Sequence, residues 1–166
     1  DVSAFALKAF KKQGMKIITN AKVTKVEVAD GQAKATIEAD GNSNTQTFDK
    51  VILAVGITGN VENIGLEDAG IKVEKGHVVV DGFGRTGVDG IYAIGDLTGP
   101  PWLAHKASHE GIACVEKIAG LKTAHPLDTS NIPGCTYCRP QVASVGMTEA
   151  DAKEVGHDVR VGTFPF

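Results

Sequence analysis

The chain has 166 residues, 42% of them apolar and 22% charged, with a formal net charge of −3. That is enough apolar material for one ordinary core, and the balance excludes the basic patches that hold nucleic acid or an acidic membrane surface. No apolar run approaches the roughly twenty residues that cross a bilayer, and three cysteines are too few for a secreted disulfide framework, which points to a reducing compartment.

Asp1-Val2-Ser3 opens no basic-then-apolar signal segment. Residues 2–13 place Val2, Phe5, Ala6, Ala9 and Phe10 at helical spacing, and Gly14 stands where a C-terminal cap belongs. A strand is expected at 15–19. Val26 and Val28 alternate with polar residues, Asp30-Gly31 suits the positive φ angles of a tight turn, and Ala33, Ala35 and Ile37 alternate again, which is a hairpin pattern. A second turn at Asp40-Gly41-Asn42 leads to a polar strand at 45–48, completing a three-stranded meander. Residues 51–55 form an uninterrupted apolar run ended by Gly56, as expected of a strand covered on both faces in a parallel sheet. A helix, a meander and a central parallel strand make the closing half of a nucleotide-binding α/β domain. The opening half, a first strand with a Gly-rich turn, is not in the sequence, so residues 1–56 are expected to be an incomplete domain.

Farther along, a short helix is expected at 66–69 and strands at 71–73, 78–81 and 91–94. A long helix at 104–119 carries Ile112, Val115, Ile118 and Ala119 on one side, with Gly120 at its C-terminal end. Residues 123–134, with His125-Pro126, Asn131 and Pro133-Gly134, have the composition of a linker. A strand at 142–145, a helix at 148–155 and a strand at 159–164 follow. Thr148 and Asp151 have the spacing of a capping pair at the start of that helix.

The strongest chemical signal is Gly90-Ile91-Tyr92-Ala93-Ile94-Gly95-Asp96. A strand that delivers a glycine and then a carboxylate at its C-terminal end places an acceptor where open α/β sheets bind ligands, suited to sugar-like hydroxyls such as those of a ribityl chain. Alone, Gly-Asp is more often the mark of a capped turn. A few residues on, Pro100-Pro101-Trp102-Leu103-Ala104-His105-Lys106-Ala107 opens a helix. The unpaired N–H groups at its start can stabilise an electron-rich carbonyl or an anionic ring by about 0.3–1 kcal/mol. Lys106 is read as a solvated residue of the helix face.

From Thr86 through Gly-Val-Asp-Gly-Ile-Tyr-Ala-Ile-Gly-Asp96, the sequence resembles the second FAD motif of the class I pyridine nucleotide-disulfide oxidoreductases. Leu103-Ala104-His105-Lys106-Ala107 with Glu110-Gly111 is similar to the dihydrolipoamide dehydrogenase branch in particular. The Phe-Lys-Lys-Gln-Gly-Met-Lys segment from Phe10, Pro140-Gln141-Val142-Ala143-Ser144-Val145-Gly146 with Thr148-Glu149, and the terminal Phe164-Pro165-Phe166 fit the same family, in family order.

The resemblance implies a partial FAD/NAD-binding α/β fold. Residues 1–56 would be the C-terminal half of an NAD-binding domain, 57–122 a central domain with the second FAD motif, 123–134 a linker, and 135–166 the beginning of an α+β dimerisation domain. It implies FAD contacts at Asp96 (ribityl chain) and along the backbone of Trp102, Leu103, Ala104 and His105 (pyrimidine side of the ring), and NAD contacts at Val23 and Gly56. It implies a homodimeric parent that oxidises dihydrolipoyl groups of a lipoyl-bearing acyltransferase or H-protein and passes a hydride to NAD⁺, in a bacterial cytoplasm or mitochondrial matrix, with no nucleic acid or membrane partner. Two positions depart from the pattern. Trp102 stands where the family usually has Met, and Ile57-Thr58-Gly59-Asn60 replaces the usual Arg-x-Pro-Asn. The family's redox cysteine pair, its Gly-x-Gly-x-x-Gly turn and its C-terminal His-Glu pair are not in this sequence, so an internal fragment without catalytic residues is expected, inactive alone and a poor FAD binder.

Cys135-Thr136-Tyr137-Cys138 has a redox and zinc spacing, but a zinc site needs further ligands, and the pair precedes Arg139-Pro140 and a strand rather than opening a helix. Two incidental thiols are the favoured reading, and Cys114 is read as core. The alternatives are another flavoprotein disulfide reductase, akin to mercuric or glutathione reductase, and a non-catalytic interaction module of the same fold.

Overall fold

In the computed structural model, which describes residues 2–164, the chain forms two units. One comprises Asp1–Val55 with Cys135–Ala143, the other Gly56–Gly134 with Ser144–Phe166. Pro165 and Phe166, which carry part of the terminal resemblance, lie outside the described residues, as does Asp1.

The first unit begins with α1 (Val2–Lys12). Gly14, at φ 89°, closes it, with its own N–H donated to Lys11 O and that of Met15 to Phe10 O, the paired bonds of a Schellman end. Three antiparallel strands follow in the order β1 (Ala21–Ala29), β2 (Gln32–Ala39) and β3 (Asn42–Phe48). Asp30 and Gly31 both have positive φ, 55° and 73°, and connect β1 to β2 in two residues, matching the hairpin expectation. Opposed residues share a face, so the pairs Val26–Ala35, Val28–Ala33 and Ala33–Phe48 define one apolar side of the sheet. A bulge between Val23 and Lys25 restores Val23 to that side opposite Ile37, although it stands three positions, an odd step, before Val26. Ala33 and Ala35 of the middle strand are buried; Val28 on the edge strand is not.

Two strands expected here do not form. Residues 15–19 are irregular, and residues 51–55 carry no strand, with Ile52, Leu53 and Val55 more than 80% exposed. A buried parallel strand needs hydrogen-bonded neighbours on both edges, and none of the described strands pairs with this run.

The second unit has a small core of Val61, Ile71 and Val78, against which Leu66, Val80, Ala93 and Leu97 pack. Residues 66–69 form hydrogen-bonded turns rather than a helix. The next strands are short, β4 (Val73–Glu74) pairing antiparallel with β5 (His77–Val78). The expected strand at 91–94 reduces to one antiparallel bridge, Arg85 to Tyr92. Then come a 3-10 turn, Gly95–Thr98, and the helix α2 (Ala104–Ile118), ended by a second Schellman pair at Gly120 and Leu121.

α2 turns a different face inward than its apolar stripe suggests. Ile112, Val115 and Ile118 are 56%, 64% and 56% exposed, while Lys106, Ala113 and Cys114 are buried. The face is chosen by what Lys106 binds, as the site shows. Past a 3-10 turn at Thr129–Asn131, β6 (Gly134–Thr136) and β7 (Val142–Ser144) form a two-stranded sheet. α3 (Glu149–Glu154) starts with the expected box: Thr148 Oγ1 accepts from Asp151 N, and Asp151 Oδ2 accepts from Thr148 N. No strand forms at 159–164. Among the described residues no helix is long and apolar enough to cross a membrane.

Candidate functional site

The approach to Asp96 is built from backbone. Asp81 Oδ1 accepts the amides of Phe83 and Arg85, the Ala93 amide donates to Gly84 O at 2.8 Å, and Thr86 Oγ1 donates to Ile91 O while accepting from Val88 N. These bonds fold 81–93 into a tight double-back. Gly84 is obligatory there: a Cβ would stand 2.7 Å from Ala93 O, at a φ of 78°. Thr86 earns its place in the motif as an internal brace, 8% exposed.

The turn Gly95–Thr98 is then gripped from α2. Lys106, 3% exposed, points its ammonium into the turn, where Nζ donates to Gly95 O (3.2 Å), Thr98 Oγ1 (3.3 Å) and Gly99 O (3.1 Å). It also pairs with Glu110 Oε1 at 2.9 Å, and Glu110 Oε2 accepts the Gly95 amide at 2.7 Å. Three ammonium protons thus meet four acceptors, which satisfies a cation that would otherwise be very costly to bury. The reading of Lys106 as solvated is therefore corrected, and neither it nor Glu110 stood among the expected site residues. The i,i+4 spacing of Lys106 and Glu110, followed by Ala113 and Cys114, was the available signal for the inward face.

Asp96 itself is exposed, and its carboxylate has no hydrogen-bond or ionic partner among the described residues; its backbone O accepts from Gly99 N at 3.4 Å. A free acceptor on an anchored turn fits a polyol. The start of α2 also fits an electron-rich group, because Leu103 at the N-cap is extended and supplies no capping side chain. Trp102 is turned away to β5: its indole stacks on His77 with centroids 5.9 Å apart, and Nε1 donates to His77 Nε2 at 3.3 Å. An acceptor at Nε2 puts the His77 proton on Nδ1, which donates to Lys75 O. His105, exposed, donates from Nε2 to Pro133 O at 2.9 Å. A cleft of about 280 Å³ is lined by Lys106 and Glu110 themselves together with Asp81, Phe83, Ile94 and Thr129.

The residues expected to meet NAD show no such construction. Val23 is an exposed apolar residue beside the bulge of β1. Gly56 has φ 114° and open space around its missing Cβ, so no cradle surrounds it. Of the cysteines, Cys114 is buried, Cys135 exposed, and Cys138 donates its S–H to Pro140 O at 3.0 Å. No three metal-ligating side chains cluster among the described residues. Among the described residues, the two carboxylates with clearly displaced pKa values lie elsewhere. Glu74 is held low by the hydrogen bond and charge of Lys72, and Asp128 by the side-chain and backbone hydrogen bonds of Ser130.

This geometry is joined by direct likeness to known proteins. Residues 1–111 match the profile of the pyridine nucleotide-disulphide oxidoreductases, and residues 132–166 match the dimerisation domain of that family. The chain belongs to the pyridine nucleotide-disulphide oxidoreductase family. Within it, the relatives are dihydrolipoyl dehydrogenases: the enzyme of Rhizobium etli is 59% identical over the whole chain, that of Zymomonas mobilis 52%, and that of Bacillus subtilis 44% over 94% of it. The chain spans 35% of the Rhizobium etli enzyme, about a third of its length. Among solved structures, LpdA from Mycobacterium tuberculosis is 27% identical with a TM-score of 0.81, covering 92% of this chain and 33% of that one. The HOCl-induced flavoprotein disulfide reductase RclA from Escherichia coli has the same TM-score at 27% identity, covering 96% and 36%. The fold is thus a mixed α/β, partial FAD/NAD-binding architecture of the flavoprotein disulfide reductases.

Proposed function

We propose that this chain is the middle portion of an FAD-dependent dihydrolipoamide:NAD⁺ oxidoreductase, and that its own contribution is to hold the flavin. The observation that carries the reading is the unpartnered Asp96 carboxylate on a turn clamped from the adjoining helix, in a chain 59% identical to a dihydrolipoyl dehydrogenase. FAD, when bound, supplies the redox step between a dithiol and NAD⁺. Asp96 would accept hydrogen bonds from the ribityl hydroxyls, and the backbone of Trp102, Leu103, Ala104 and His105 would lie along the pyrimidine side of the ring. Val23 and Gly56 as NAD contacts rest on the family resemblance alone. The division at residues 56, 122 and 134, homodimerisation through 135–166, a lipoyl-bearing acyltransferase or H-protein as partner, and a bacterial cytoplasmic location belong to the same proposal. The graded identity to named dihydrolipoyl dehydrogenases favours it over a mercuric or glutathione reductase-like activity.

The test compares the 166 residues alone with the full-length gene product that contains them. The longer protein should be yellow after desalting and reduce NAD⁺ with dihydrolipoamide, whereas the shorter one should be colourless and inactive. A full-length protein without flavin, or one that turns over glutathione disulfide or mercuric ion instead, would reject the assignment. Turnover by the short chain would reject its role as a non-catalytic portion.

A further inference from the structure

We infer that Lys106 and Glu110 are positioning residues for the polyol-binding carboxylate, fixing the turn that carries Asp96 and through it the seat of the flavin's ribityl hydroxyls. The inference rests on the flavin reading above and deepens it. Three observations meet at this pair.

The first is cost. An ion pair with a lysine 3% exposed is a poor way to gain stability, since apolar side chains of similar volume usually do as well or better. Apolar packing of turn on helix is already present, because a Cβ on Gly95 would meet that of Ala107 at 3.0 Å. The charges therefore do something that packing does not. The second is where they reach. Apart from each other, every bond of the pair ends between Gly95 and Gly99: the amide and carbonyl of Gly95, the hydroxyl of Thr98 and the carbonyl of Gly99. Both ends of the turn are held, and its rotation about the chain direction is blocked. The third is Asp96, whose side chain has no partner among the described residues, so its place is set by the backbone that the pair holds. A binding carboxylate must be held to within about half an ångström of its working position, and an unclamped glycine-flanked turn does not meet that demand.

The experiment uses the full-length flavoprotein carrying this segment. FAD is stripped from wild type, Lys106→Met, Asp96→Asn and the double variant, and rebinding is followed by flavin fluorescence and by the visible circular dichroism of bound flavin. Lys106→Met should weaken FAD binding by about tenfold, the scale of one charge-assisted hydrogen bond, and change the dichroic bands. Once Asp96 is Asn, adding Lys106→Met should cost almost nothing more, because a residue that acts through Asp96 has nothing left to position. Additive losses, or a Lys106→Met protein with wild-type affinity and dichroism, would overturn the proposal and leave the pair a structural contact. Should Lys106→Met fail to fold, Glu110→Gln, which keeps an acceptor for the Gly95 amide, enters the same cycle with the same criteria. If Asp96→Asn alone leaves FAD affinity unchanged, the flavin reading of Asp96 fails, an outcome distinct from additivity.

Discussion

Glu110 uses its two carboxylate oxygens on two different elements: Oε1 meets Lys106 Nζ at 2.9 Å within α2, and Oε2 accepts the Gly95 amide at 2.7 Å from the turn. One carboxylate therefore ties a helix to the loop it packs on while neutralising the helix's only buried lysine. Removing either charge leaves the other stranded beside polar backbone, so the pair is far more expensive to break than to omit.

Lys106→Met should accordingly destabilise the protein by about 3 kcal/mol, the lower end for one partner of a buried pair, since Glu110 keeps some access to water. Lys106→Met with Glu110→Gln should recover much of that loss, because the amide still accepts from Gly95 N–H and no charge is left unpaired. Urea unfolding of the single and double variants measures both. A double variant no more stable than the single one would show that the stranded carboxylate is not the cause.

Trp102 is the single tryptophan, and its ring partner among the described residues is His77. Its indole donates to His77 Nε2 and stacks on the same ring. His77→Phe keeps a ring to stack on but offers the indole N–H no acceptor, so it should change the tryptophan emission spectrum relative to wild type. A His77→Phe protein whose emission matched wild type would contradict the contact.

Much of this was legible in the sequence, and what was not has physical reasons. The Asp30-Gly31 hairpin, the Gly14 and Gly120 helix ends and the Thr148–Asp151 box are local devices, each set by two to six neighbouring residues. The bulge at Val23 was invisible because it exists only relative to β2. The run 51–55 has the sequence of a buried strand because apolarity reports a preference for burial, and satisfying it requires partners that none of the described strands provides. Lys106 was misplaced for the converse reason. Charge predicts exposure on average, and its burial depends on carbonyls seven and eleven residues earlier that face inward only once the turn is folded.

The glycines separate two kinds of constraint. Gly14 has φ 89° with open space around it, so Gly14→Ala should cost only the left-handed backbone penalty, about 1 kcal/mol. Gly84 adds a collision, with Ala93 O only 2.7 Å from the new methyl, and that oxygen cannot retreat freely because the Ala93 amide is bonded to Gly84 O at 2.8 Å. Gly84→Ala should cost a further 1–3 kcal/mol or so. Melting temperatures of the two variants compare them directly, and equal losses would show that 84 and 93 are not held as described.

The cysteines supply a test of α2 packing that needs no substitution. Cys135 is exposed, Cys138 must release its bond to Pro140 O before its sulfur can attack, and Cys114 is 6% exposed on the inner face of α2. Iodoacetamide should therefore label Cys135 first, Cys138 more slowly, and Cys114 only through local opening of the helix, about a hundredfold slower or more than Cys135. Peptide mass spectrometry along a time course gives the three rates. Because Cys114 lies on the face that Lys106 draws inward, Glu110→Gln should speed its labelling while leaving Cys135 unchanged. Labelling of Cys114 as fast as Cys135 in the unmodified protein would mean that α2 does not pack on this face, and the clamp on Asp96 would fall with it.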